Sequence, residues 1–229
     1  MASTLDRCAH DGIRWFPRAT AEKYSPDQSE FAERRLHDQL SWGRRLLVRK
    51  LGIWVPRLHG DWMRETFREP EDGYACTEGN SLVNGGLDAL TSLLLGTGGQ
   101  TFIPASTTHT IIGVGTGTGA TTAGMAALQS DASANAWYQG SDLTYPHVDG
   151  TTHGQLDGQV TVTSSNGNFA AGWTEWCWAT GTSATTSATG TTLSGLSGTT
   201  VMFNRWTGTT LGTKGAGATW VFSTTITFS

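Results

Sequence analysis

Glu175 is the residue whose setting most invites chemistry. It lies between Trp173 and Trp176 in a segment with strand alternation. Burial there would raise a carboxyl pKa. Glycoside hydrolysis, however, needs two acids facing one cleft. The other acids beyond residue 80 are Asp88, Asp131, Asp142, Asp149 and Asp157, and one carboxylate is not a dyad. A buried acid alone would cost several kcal/mol, so it should find a donor. Arg205 is the natural candidate, because only Arg205 and Lys214 supply positive charge after residue 79. A structural ion pair between Glu175 and Arg205 is therefore expected.

Other candidate chemistry is weaker. His147, Asp149, His153 and Asp157 resemble metal ligands, but their spacing fits no known metal motif. Solvated turn residues are the preferred reading. Gly113-Val-Gly115-Thr-Gly117-Thr-Gly119 invites a nucleotide reading, and Gly115, Gly117 and Ala120 match a GxGxxA pattern. A dinucleotide site also needs a helix N-terminus aimed at the pyrophosphate. Thr121-Thr122-Ala123-Gly124 is a poor helix start, and no Gly-Lys-Ser/Thr occurs anywhere. A strand running into a flexible glycine turn is expected instead. No GxSxG elbow is present. The expectation is no catalytic, cofactor-binding or metal-binding residue, no cofactor, and no enzymatic activity.

Ten tryptophans leave a binding alternative. Trp137, Tyr138, Trp173, Trp176, Trp178, Trp206 and Trp220 could stack on sugars. Alternating strand tryptophans more often form core or subunit interface.

The elements that must position these groups follow from composition. The chain has 229 residues and a formal net charge of −4, with 15% charged residues, against roughly 25% in an average domain. Without a basic excess, nucleic-acid binding is not expected. No apolar run reaches the ~18–20 residues of a spanning helix, so no membrane partner is expected. Met1 to Arg18 has no apolar stretch of the signal-peptide type. Cys8, Cys76 and Cys177 are odd in number and widely spaced, which argues against a disulfide framework and for synthesis in a reducing compartment.

Charge divides the chain in two. Thirteen of the 15 Lys and Arg residues precede residue 79, and 24 of the 30 glycines follow it. Residues 1–79 are thus expected to form a charge-dense N-terminal arm, and residues 80–229 a short helix plus a Thr/Gly-rich β domain. In the arm, Ser25-Pro26-Asp27-Gln28 reads as a helix start with a capping box. Leu36, Leu40, Leu47 and Leu51 continue one helical face, giving a helix near 26–51 that Gly52 ends. Nothing else in the arm supplies a second long amphipathic element. These leucines, with Trp54 and Trp62 as anchors, are read as an assembly interface.

A second helix is expected from Ser81, with Val83, Leu87, Leu90 and Leu94 packing on the β domain. Beyond residue 107 the pattern turns to strands. They are Thr110–Val114, Gln159–Thr163, Phe169–Thr180, Val201–Trp206 and a last strand with Trp220, Phe222, Thr224, Ile226 and Phe228 on one face. In the third, Trp176 and Trp178 should share one face, opposite Trp173, Glu175 and Cys177. Gly181–Thr200 reads as an exposed loop or hairpin tip. The fold class is mainly β: an antiparallel β-sandwich preceded by an N-terminal arm with one or two helices.

An ordered set of short pieces carries a resemblance. It runs through Glu78-Gly-Asn80-Ser-Leu-Val-Asn84-Gly-Gly86-Leu87, Ile112-Gly-Val-Gly-Thr-Gly-Thr-Gly119 and Ala127-Leu128-Gln129 before Asp131. It continues with Asn166-Gly-Asn168-Phe169, Trp173-Thr-Glu175-Trp176, Phe203-Asn204-Arg205 and Leu211-Gly-Thr-Lys214. Over residues 78–229 the chain resembles the small β-sandwich domain of tailed-bacteriophage virion proteins of the minor-tail and capsid-exterior decoration types. The resemblance implies a non-enzymatic structural protein without a cofactor, assembled in the host cytoplasm and resident in the virion. Its partners would be other copies of itself and major capsid or tail proteins. The capsid exterior is preferred, because adhesive fibres usually carry repeats or heptads and this chain shows neither. The alternative is a minor tail, baseplate or fibre-base protein, with glycan bound through exposed tryptophans.

Overall fold

A computed structural model describes residues 15–39, 58–79, 81–95, 109–131, 133–142, 147–148, 155–163, 166–181, 189–197 and 199–228. The chain is mainly β, with two antiparallel sheets packed as a sandwich. Sheet A has the order β2-β1-β11-β7-β6, comprising β1 (Trp15–Tyr24), β2 (Tyr74–Glu78), β6 (His147–Val148), β7 (Gln155–Val162) and β11 (Thr219–Phe228). Sheet B has the order β3-β10-β8-β4-β5-β9. Its strands are β3 (Ser81–Leu82), β4 (Thr110–Gly115), β5 (Ala136–Gly140), β8 (Glu175–Gly181), β9 (Thr189–Gly190) and β10 (Thr200–Thr207).

Strand alternation builds the space between the sheets. Ala19 and Ala21 of β1, Val160 and Val162 of β7, and Trp220 and Phe222 of β11 face Ile112 and Val114 of β4 and Trp176 of β8. Trp176 meets Phe222 edge-on, with ring centroids 5.8 Å apart. Gly158 leaves room for Trp178, whose ring tip would lie 3.0 Å from a Cβ placed there. Trp173 departs from the expected alternation. It precedes β8, so its side chain is free of the strand's register and joins the same core, 4.7 Å from the Trp220 ring.

The outer faces are covered too. On sheet A, Tyr24 and Val221 pack beneath α1 (Pro26–Asp38) and α2 (Gly60–Thr66), with Ala32, Leu58, Trp62 and Met63 buried among them. On sheet B, Ile111, Tyr138, Cys177, Ala179 and Met202 are covered by Val83, Leu128 and Leu193. Helix α3 (Asn84–Leu95) lies against β10, where Gly86 is so close that a Cβ would meet the Phe203 carbonyl oxygen at 2.3 Å. Among the described residues no helix is long and apolar enough to cross a membrane.

Several expectations are corrected. The compositional step near residue 79 is not an edge of the sandwich. β1 pairs with β11 along ten residues, and β2 pairs with β1. Charge density misled because the outer face of β1 carries Arg18 and Glu22, while the residues its inner face buries in the core are only Ala19 and Ala21, beside Lys23 stacked on Trp220. The capping box forms as read: Gln28 N–H donates to Ser25 Oγ and Ser25 N–H to Gln28 Oε1, both at 3.3 Å. The helix closes at Asp38, however, and Leu40, Leu47, Leu51 and Trp54 lie outside the described residues. Leu36 and Trp62 pack within this same chain, and Trp62 Nε1 donates to the Ala32 carbonyl at 3.2 Å. The segment at Ser81 opens as β3, and the helix starts at Asn84. Val83 is buried ahead of the helix, while Leu87 is exposed because Gly85 and Gly86 occupy the packed face. Within 181–200, Gly181 completes β8, and a short helix α4 (Leu193–Leu196) buries Leu193. A few small apolar side chains suffice there because Tyr138, Cys177 and Ala179 already form the floor.

Removing the chain up to Tyr24 takes away the central neighbour of β11 and exposes Phe222 and Val221. The truncated protein is expected to lose its cooperative urea transition, which circular dichroism against urea measures. A transition with an unchanged midpoint would mean that β1 is dispensable.

Candidate functional site

Glu175 opens β8 on the outer face of sheet B and is fully buried. Its strand neighbour is Gly115, where a Cβ would lie 2.8 Å from Glu175 Oε1. The missing side chain makes room for the carboxylate. Oε1 accepts from Gly117 N–H at 3.0 Å, Ser130 N–H at 3.0 Å and Ser130 Oγ at 2.5 Å. Oε2 accepts from Gln129 N–H at 2.9 Å and Arg205 Nε at 2.7 Å. The structure thus brings Glu175 and Arg205 together, both with fully buried side chains.

Arg205 reaches this point from β10, just after a register shift between Met202 and Asn204. Asn204 Oδ1 accepts from Trp178 N–H at 2.7 Å and stabilises that irregularity. Arg205 Nη1 donates to the Gly119 carbonyl at 2.8 Å and to Thr121 Oγ1 at 3.3 Å. Nη2 is buried without a partner among the described residues. Acid and base therefore hold the same segment, 116–131, from two sides.

Burial by itself would push the Glu175 carboxyl up. Ser130, Arg205 and Gln129 donate enough hydrogen bonds to hold it below the ordinary glutamate value. Both its oxygens are filled by protein donors, so it has no free lone pair directed at a substrate. The arrangement can fix a loop. It does not make a general acid.

A second polar cluster lies under α2. Asp142 accepts from Thr161 N–H at 3.2 Å, Thr161 Oγ1 at 2.7 Å and Gln159 Nε2 at 3.1 Å. Gln159 Oε1 accepts from Arg64 Nη1 at 2.6 Å, and Arg64 pairs with Glu22 at 2.7 Å. Burial raises the Asp142 carboxyl, against the effect of these donors. Its bonds to Gln159 and Thr161 tie the end of β5 to β7, and so one sheet to the other.

The remaining candidates are placed as follows. His147 pairs with Asp157 across β6 and β7, while Asp149 and His153 lie outside the described residues. Among the described residues no group of three or more His, Cys, Asp or Glu could hold a metal ion. Trp173, Trp176, Trp178, Trp220 and Tyr138 are buried, and Trp137 and Trp206 half-buried. The buried rings offer no face to a sugar.

Sequence reasoning missed the role of Gly117, Gln129 and Ser130. The glycine run was visible, but its purpose depends on a carboxylate 58 positions away from Gly117. It also missed Lys214, which is buried with its Nζ 2.9 Å from Asn168 Oδ1. The available signal was its isolation as one of two cations after residue 79. No protein-family model, curated protein or solved structure matches the chain.

Glu175→Gln keeps the shape but leaves Arg205 buried without its counter-charge. It is expected to cost about 3–5 kcal/mol, read from urea unfolding. Because the folded pKa is depressed, the carboxylate's contribution is present above the unfolded value near 4.5 and is lost as pH falls below it. Wild-type stability should therefore drop more steeply than that of Glu175→Gln as pH falls below about 5. Parallel curves would show that the pair contributes nothing.

Proposed function

We propose that this chain is a non-enzymatic structural protein of a tailed-bacteriophage particle, seated on the capsid exterior. One observation supports the reading most. The short pieces that carry the resemblance are scattered in sequence, yet buried polar contacts join them in space. Glu175 and Arg205 collect Gly117, Gly119, Gln129 and Ser130. Asn84 N–H donates to the Ala123 carbonyl and Val83 N–H to the Phe203 carbonyl, drawing in the first piece. Trp173 binds the Gly167 carbonyl through Nε1 and exchanges backbone bonds with Leu211 and Gly212, drawing in the last. These contacts knit the scattered pieces into one framework.

A framework of this kind suits a part selected for assembly. Many weak, symmetric contacts on a lattice or ring give strong net attachment without one strong site. Phe31 of α1, Tyr74 of the edge strand β2 and Leu87 of α3 are large side chains about half exposed. They are available to such contacts.

Antibody against this chain is expected to label the heads of negatively stained tailed particles from cells carrying the gene. Label confined to tail tips or baseplates would move the protein to the alternative position. Its absence from purified particles, read by mass spectrometry, would overturn the structural reading altogether.

A further inference from the structure

Lys214 is a buried amine in a half of the chain that holds only one other cation. It is 1% exposed, in the segment that leads from β10 into β11. Its Nζ lies 2.9 Å from Asn168 Oδ1. Asn168 belongs to the turn between β7 and β8, which Gly167 bends with φ of +64°.

Trp173 fixes both segments. Its Nε1 donates to the Gly167 carbonyl at 2.7 Å. Its backbone N–H donates to the Gly212 carbonyl at 2.9 Å, and its carbonyl accepts from Leu211 N–H at 2.7 Å. Amine and amide are therefore held face to face by neighbours that are themselves bonded. With a carbonyl bond of about 1.2 Å, Nζ lies no more than about 4.1 Å from Asn168 Cγ. A small rotation of the amide brings the pair into the near-attack range of about 3–3.5 Å.

We propose that Lys214 and Asn168 are the two halves of an intramolecular isopeptide bond. The neutral Nζ attacks Asn168 Cγ and forms a tetrahedral centre. A proton passes from Nζ to Nδ2, the Cγ–Nδ2 bond breaks, and ammonia leaves. The product is a secondary amide between the two side chains. No oxidant, reductant or co-reactant is consumed.

Two physical features favour the step. Burial disfavours the ammonium form and pushes the Lys214 pKa down to about 8, so about a tenth of the amine is neutral at pH 7 and about half at pH 8. Fixed neighbours replace a chance encounter with a local one, which is worth a large effective concentration. The bond would close a ring between positions 46 apart. It would fasten the β7–β8 turn to the approach to β11, a covalent staple at one end of the sandwich. Cross-links of this kind restrict the unfolded chain most when the ring is long.

Intact-mass spectrometry of the purified full chain, denatured and reduced, tests this directly. The expected mass is lower than the sequence mass by one ammonia. A proteolytic digest should yield one branched peptide containing both Asn168 and Lys214. Lys214→Met should restore the full mass, and its sequence mass can be read whether or not it folds well. A wild-type mass equal to the sequence mass, with the two peptides separate, would overturn the proposal. So would a deficit that persists in Lys214→Met.

Discussion

A carboxylate buried on the face of a sheet must be answered by donors, and much of this structure is arranged around that requirement. Glu175 receives five hydrogen bonds from Gly117, Gln129, Ser130 and Arg205. Desolvating a charge costs several kcal/mol unless its partners compensate. The compensation here comes mainly from backbone N–H groups, which cannot be supplied unless segment 116–131 folds back over β8. The same fold-back brings Leu128 down onto the Tyr138 ring, whose hydroxyl accepts from Leu128 N–H at 3.0 Å. Polar satisfaction and apolar burial thus depend on one loop path.

That dependence explains which glycines matter. A Cβ on Gly117 would stand 2.5 Å from Glu175 Oε1, and one on Gly119 would stand 2.6 Å from Gln129 Nε2. The run that invites a phosphate-binding reading is a close-approach surface for a carboxylate of the same chain. Backbone N–H groups gather around negative charge in both cases.

The sandwich class was legible because Trp176, Trp178, Trp220, Phe222 and Ile226 alternate with small or polar residues. The pairing of Glu175 with Arg205 was legible because the second half holds so few cations. The membership of β1 was not. The residues it buries in the core are two alanines, too weak a periodic signal to compete with Arg18, Glu22 and Lys23 around them. The end of the first helix was missed because a leucine spacing that continues past Asp38 says nothing of where the backbone stops being helical. Leu193 was missed because an exposed-looking composition can still bury one side chain on a floor laid by distant residues. Lys214 and Asn168 carry no local pattern at all; only the tertiary path brings them together.

The central claim is that one buried carboxylate holds the loop from residue 116 to 131 in place. Native-state amide hydrogen exchange at Gly117, Gln129 and Ser130 tests it most directly. These amides lie outside any strand or helix, so without the carboxylate they would exchange as a surface loop does. The account predicts protection approaching that of the β8 amides, lost together in Glu175→Gln. Rapid exchange of all three in the wild-type protein, with β8 fully protected, would contradict it.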